Sequence, residues 1–180
     1  QVAEPIRTVL ADDHQLVRSG LRAELGDGFE IVGEADDAEG AIDVVTARSP
    51  DLVVCDLHMP RGGGLAVVQK CAAVCPIVIL TVSEAERDLL DAVAAGAAGY
   101  LLKSAPIEEL RACFRAAARG EPVFSPQLAA QAEARFDAPL YEIYGCTESG
   151  GIASRRTVES NEWRAMKRIV DGRSVLDKLD

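Results

Sequence analysis

Four polar sites stand at the ends of short apolar runs, and helical spacing fills the chain between the runs. Asp12 and Asp13 follow the run at residues 6–11, and Asp56 follows Leu52-Val53-Val54-Cys55. Thr81 follows Ile77-Val78-Ile79-Leu80, and Lys103 follows Tyr100-Leu101-Leu102. Short runs of Val, Ile and Leu bounded by helical patterns predict buried parallel strands. In such a sheet the carboxyl ends of neighbouring strands open into one crevice. Three carboxylates, a hydroxyl and an ammonium are thereby expected to meet.

The alternation of strand and helix extends over the first 120 residues. The pattern predicts strands at 6–11, 29–35, 51–55, 76–80 and 97–102. Helices are expected at 15–25, 38–48, 65–73, from Ser83 to Gly96, and at 106–119. Ser49-Pro50 ends the second helix, because the residue before proline is pushed out of the α region. Gly62-Gly63-Gly64 breaks the chain before the third helix. Ser83 is the expected N-cap of the fourth, with Glu84 and Glu86 in its first turn. Pro106 opens the fifth, where its missing N–H costs nothing. Short connections and right-handed crossovers then place helices on both sides of the sheet. The expected fold is α/β: a flavodoxin-like, doubly wound, five-stranded parallel sheet of order 2-1-3-4-5. The second strand lies at its edge, and no matching functional residue follows it.

Composition limits the partners. The chain has 180 residues and a formal charge of -10. Residues 1–120 hold 11 Lys and Arg against 19 Asp and Glu, whereas residues 137–180 hold 7 against 8. An acidic first domain argues against a nucleic-acid or membrane surface as its main face. No stretch reads as a leader or a membrane span, and the five cysteines are odd in number. Reduced thiols in a cytoplasmic protein are therefore expected. Cys55 lies within an apolar run and reads as a small hydrophobe. Cys71 and Cys75 have no further metal ligands grouped near them in the sequence.

The crevice has a definite chemistry. Two carboxylates about 4 Å apart repel by roughly 4 kcal/mol at an effective dielectric near 20. A divalent cation offsets that repulsion, and oxygen ligands with room for water suit Mg²⁺. Lys103 adds a positive point charge, and Thr81 a hydroxyl. Together these groups form a cradle for a phosphoryl group in transfer, with Asp56, the central carboxylate, as its acceptor. Taken singly, each piece has a plainer reading as an acidic turn, a solvated lysine or a helix cap. His58 alone reads as a solvated loop residue, and His14 as the start of the first helix, packed there.

The segment Leu10-Ala11-Asp12-Asp13-His14-Gln15-Leu16-Val17-Arg18-Ser19-Gly20-Leu21 resembles the opening of receiver domains in the NarL/FixJ response-regulator family. Val53-Val54-Cys55-Asp56-Leu57-His58-Met59-Pro60 is similar to their phosphoacceptor motif. Leu80-Thr81 and Gly99-Tyr100-Leu101-Leu102-Lys103 resemble their switch sites. The resemblance implies a receiver over residues 1–125. It implies that Asp56 accepts a phosphoryl group from a histidine kinase, in a phosphoacceptor with autophosphatase chemistry only, not an enzyme. Asp13, Asp56 and the His58 backbone carbonyl would ligate Mg²⁺, with Asp12 acting mostly through water. Lys103 would hold a phosphoryl oxygen, Thr81 would close on the group, and Tyr100 would move inward behind it. His58 and Ser83 would tune the lifetime of the phosphoryl group. The moving face, from the fourth helix to the fifth, would change its contacts and regulate output, transcription in the wider family. A homodimer through the receiver or the tail is compatible with this. The competing reading is an interaction module that does not switch and acts through its tail.

Residues 126–180 depart from the family pattern and are expected to form an atypical extension, neither a catalytic nor a complete DNA-binding domain. Tyr144-Gly145-Cys146-Thr147-Glu148 resembles the Tyr-Gly-x-Thr-Glu motif of adenylate-forming ligases. The phosphate loop and catalytic lysine of those enzymes are missing. The segment from Glu162 to Ser174 resembles the first helix and turn of a LuxR-type helix-turn-helix, with Met166, Ile169 and Val170 as its apolar stripe. It stops before a recognition helix, which argues against DNA binding by this chain alone. Trp163 is the expected anchor of the tail.

Overall fold

A computed structural model describes residues 4–125, 128–131 and 134. The expectations for Thr147, Glu148, Trp163 and the rest of the tail lie outside the described residues.

Six parallel strands form one sheet in the order β2-β1-β3-β4-β5-β6. They are β1 (Ile6–Ala11), β2 (Phe29–Ala35), β3 (Leu52–Cys55), β4 (Ile77–Thr81), β5 (Gly99–Leu102) and β6 (Val123–Phe124). Every residue of β3, β4 and β5 is buried, which is why they read as unbroken apolar runs. The helices are α1 (Gln15–Leu25), α2 (Ala38–Arg48), α3 (Gly63–Cys71), α4 (Glu86–Ala95) and α5 (Ile107–Ala118).

Alternate strand residues face opposite layers. Val9, Val53, Cys55, Ile77, Ile79 and Tyr100 join a core with residues of α2, α3 and α4. Leu10, Leu52, Val54, Val78, Leu80 and Leu101 join a second core with Leu25 of α1 and Leu110, Phe114 and Ala117 of α5. Phe29 and Phe114 meet edge to face at 6.3 Å in that second core, and the Arg115 guanidinium lies over the Phe29 ring. Aliphatic side chains and alanines do most of the filling, because only 4% of the residues are aromatic.

The expected order holds for five strands, and β6 extends it. A strand of two residues has no periodicity to betray it. Its room comes from Gly99, where a Cβ would sit 2.4 Å from the Val123 carbonyl oxygen. The Val123 amide donates to the Ala98 carbonyl at 3.0 Å, and the Ser125 amide donates to the Tyr100 carbonyl at 2.9 Å. Beyond it, residues 128–131 are helical, and Leu128 is buried in the first core.

Two helix starts differ from expectation. The glycine run begins α3 at Gly63 rather than breaking ahead of it; the Gly64 amide donates to the Leu57 carbonyl at 2.8 Å. Ser83 does not cap α4, which starts three residues later with Ala85 at its N-cap. The Ser83 hydroxyl instead donates to the Asp88 carboxylate and accepts from the Ala85 amide.

Asp37 caps α2, its carboxylate accepting from the Gly40 amide at 2.7 Å. Loss of such a cap costs about 1 kcal/mol. Asp37→Ala should lower the urea midpoint by a corresponding amount with an unchanged slope. An unchanged midpoint would show that the cap contributes nothing.

Candidate functional site

The parallel ladder places the functional residues. Ala11 pairs with Cys55, and Thr81 with Leu102, so the residues that follow emerge side by side. The ladder continues one step past the strands: the Asp56 amide donates to Ala11, Asp12 to Ala35 and Lys103 to Thr81. Asp12 and Asp56 are thereby held at the ends of neighbouring strands β1 and β3, and Lys103 at the end of β5, with only β4 between.

The Lys103 ammonium lies 2.6 Å from Asp12 Oδ2 and 3.2 Å from Asp56 Oδ2. Both carboxylates are almost wholly buried, at 4% and 6% exposure. Burial alone would lower the lysine's pKa, but Asp12 and Asp56 outweigh it and raise the value. Lys103 therefore stays protonated through the neutral range. The other Asp12 oxygen accepts from the His14 amide at 2.8 Å. Asp13 is more open, with its Oδ1 2.8 Å from the imidazole Nδ1 of His14. Ligand atoms of Asp12, Asp13, His14 and Asp56 all lie within 4.8 Å of one another.

With three carboxylates ionised and one ammonium among them, two negative charges stay uncompensated. Carboxylate oxygens make up most of the cluster, and it is open to solvent on the Asp13 side. Such a set fits a divalent cation with room for water or a phosphoryl oxygen. Beside it lies an open groove of about 650 Å³, lined by Asp13, His58, Met59, Leu65 and Asp88 among others.

Thr81 is fully buried as the last residue of β4 rather than the first residue past it, and its hydroxyl accepts from the Ser83 amide at 3.2 Å. Tyr100 already points inward at 0% exposure, its hydroxyl donating to the Ser83 carbonyl at 3.0 Å. Burial, chiefly, pushes the phenol's pKa up to about 12. His58 and Ser83 come from different loops, yet both face Asp88, His58 Nε2 at 3.9 Å.

His14, Arg18 and Asp88 were not legible as site residues. His14 does precede α1, but it does not pack: its side chain is 68% exposed and turned to Asp12 and Asp13. Arg18 donates to the Asp12 carbonyl and pairs with Glu34 of β2 at 3.1 Å. The edge strand thus braces the acidic loop although it contributes nothing at its carboxyl end. Cys55, beside Asp56, has its thiol pKa pushed far up by burial, which fits an inert core residue.

Burial would raise the Glu34 pKa, but hydrogen bonds and charges from Arg22 and Arg18 bring it below the ordinary value of 4.5. A carboxylate lowered on folding stabilises above the unfolded value, and that stability is lost as pH falls through the folded one. Glu34→Gln should therefore be less stable than the parent at pH 7, with the gap closing below pH 4.5. Denaturant titrations at both pH values measure it, and a pH-independent gap would exclude the charge as its cause.

Comparison with known proteins gives one consistent answer. Residues 8–115 match the family described as the response regulator receiver domain. The nitrate/nitrite response regulator protein NarP of Escherichia coli is 39% identical over 131 residues, covering 70% of this chain and 61% of that protein. Response regulator GacA of Pseudomonas aeruginosa is 37% identical over the same shares. A LuxR-family two-component response regulator from Aurantimonas superposes with a TM-score of 0.69 at 32% identity, over 73% of this chain and 97% of that one. The receiver domain of the putative response regulator NarL from Mycobacterium tuberculosis gives 0.64 at 29%, over 66% and 100%. The chain spans about six tenths of the length of the curated relatives it matches.

Proposed function

Because the chain belongs to the response-regulator receiver family, we propose that Asp56 accepts a phosphoryl group from a histidine kinase and that the accepted group sets the state of a signalling switch. The observation that carries this reading is the Lys103 ammonium bridging Asp12 and Asp56 in a pocket with negative charge to spare. An Asp56 oxygen attacks phosphorus, the bond from phosphorus to the donor nitrogen breaks, and that nitrogen keeps the electron pair and takes a proton. Lys103 is placed to turn from the carboxylates to a phosphoryl oxygen. Asp13, Asp56 and the His58 carbonyl would hold Mg²⁺, with Asp12 acting through water. When bound, that ion would neutralise charge on the phosphoryl oxygens. Thr81 would then donate to the phosphoryl group, giving up its bond from the Ser83 amide.

Ser83 links this event to the switch face. Its amide binds Thr81, its carbonyl binds Tyr100, and its hydroxyl binds Asp88 of α4. Closure of Thr81 would shift that loop and bias the α4–β5–α5 face between two states. His58 and Ser83, joined through Asp88, would set how readily water reaches the phosphoryl group. The chain is thus a phosphoacceptor with autophosphatase chemistry only, acting in the cytoplasm on an output that is transcriptional in the full-length context. Among the described residues no helix is long and apolar enough to cross a membrane. A homodimer through the switch face is compatible with this reading, and direct DNA binding by the chain alone is not part of it.

Incubation with a small phosphodonor and Mg²⁺ should add the mass of one phosphoryl group, and chelation should prevent it. A chain that gains no mass under saturating donor would instead support the interaction module that does not switch.

A further inference from the structure

We propose that His14 is a nitrogen donor to the cation pocket, giving it a stronger preference for Mn²⁺ and Co²⁺ than an all-oxygen site would have. The inference rests on the acidic crevice being a divalent-cation site, and it names one more ligand there. Imidazole Nδ1 lies 2.8 Å from Asp13 Oδ1 and 3.3 Å from Asp12 Oδ1. Two ligands at right angles on bonds of about 2.1 Å stand roughly 3 Å apart. The spacing of Nδ1 and Asp13 Oδ1 is thus that of neighbouring donors on one ion. Asp56 lies within the same 4.8 Å cluster.

Three further observations point the same way. Asp12 is engaged at both oxygens, by the His14 amide and by Lys103, so it has little left to offer directly. That leaves two carboxylates and a place beside Asp13. His14 occupies the N-cap of α1, yet its side chain makes no capping bond. Finally, the Asp12–His14 turn fixes the ring's starting point, while its exposure of 68% leaves it free to adjust. The ring Nδ1 is hydrogen-bonded to Asp12 Oδ1 at 3.3 Å and lies 2.8 Å from Asp13 Oδ1 without a hydrogen bond to it. A cation would take the Nδ1 lone pair of the neutral ring that carries its proton on Nε2. Carboxylate, carbonyl and water suit Mg²⁺, whereas imidazole suits later metals, whose affinity rises along the series from Mn²⁺ to Co²⁺.

Mn²⁺ alone is a suitable probe, because coupling of its electron spin to ¹⁴N is read directly by electron spin echo modulation. The chain has only two histidines, His14 and His58, so the nitrogen source can be assigned. Echo modulation from a coordinated imidazole is expected in the parent and in His58→Ala, and its loss in His14→Ala. Calorimetric titration of His14→Ala should show Mn²⁺ and Co²⁺ affinity down about tenfold, with Mg²⁺ affinity changed by less than about twofold. Mn²⁺ binding without nitrogen modulation in the parent, or modulation that persists in His14→Ala, would overturn the proposal and leave the cation site standing. A folded chain that binds neither Mn²⁺ nor Mg²⁺ would overturn the cation site itself, and this donor with it.

Discussion

Asp56→Asn is expected to reduce phosphoryl uptake to background while the domain stays folded. An amide oxygen carries no full charge and cannot form the acyl phosphate that a carboxylate forms. The neighbouring carboxylates are poor substitutes. Asp12 is held at both oxygens, by the His14 amide and the Lys103 ammonium, and Asp13 turns toward the His14 ring. The substitution should not weaken the fold. It removes one negative charge from a pocket with two in excess, and Lys103 keeps Asp12 at 2.6 Å. Two carboxylates about 4 Å apart repel by roughly 4 kcal/mol at an effective dielectric near 20, so relief of even part of that offsets the lost ion pair. The melting temperature of Asp56→Asn should equal or exceed that of the parent in metal-free buffer. Intact-mass measurement after treatment with donor and Mg²⁺ reads the first effect, and a thermal melt reads the second. Undiminished uptake would reject Asp56 as acceptor, and a melt lowered by many degrees would show that its carboxylate is needed for folding.

What was legible in the sequence divides along physical lines. The strands that position Asp56, Thr81 and Lys103 are buried on both faces, and burial on both faces writes itself as consecutive Val, Ile and Leu. The chemistry at their ends was equally open to reading, because a parallel sheet has only one edge at which such ends collect. The sheet order is not written in the periodicity; it follows from the flavodoxin-like arrangement, the economical solution for five such units. The contacts that went unseen join residues of different loops. Ser83 has the side chain of a helix cap, and Glu84 and Glu86 support that reading. Yet Asp88 lies within reach of its hydroxyl, and the helix starts three residues later. The turn of His14 toward Asp13 likewise follows from the Asx bond between the His14 amide and Asp12, which no spacing rule announces. For β6, two residues are too few to carry a pattern; the signal was the missing side chain at Gly99.

A second missing side chain leads to the other large effect. Gly64→Val is expected to destabilise the domain by about 1–3 kcal/mol and to slow phosphoryl uptake in the fraction that folds. A Cβ at Gly64 would lie 2.4 Å from the Asp56 carbonyl oxygen and 3.0 Å from Ile79 Cδ1. The first of these neighbours is backbone and cannot swing aside. Its plane also belongs to Asp56, so relief of the clash must move Asp56, α3 or both. The Gly64 amide, bonded to Leu57 at 2.8 Å, holds the helix against that loop. A displacement of the carboxylate by a few tenths of an ångström alters its fit to Lys103 and to any cation. Gly20→Ala is the matched control. It lies within α1, nothing approaches its Cβ position within 4 Å, and its φ is not left-handed. Alanine there should stabilise by about 0.5–1 kcal/mol through helix propensity alone. Opposite shifts of the two melting temperatures, with uptake slowed only in Gly64→Val, would tie the contact between α3 and the Asp56 backbone to the chemistry. Equal melts for Gly64→Val and the parent would mean that the loop yields freely and that the close approach does not position the acceptor.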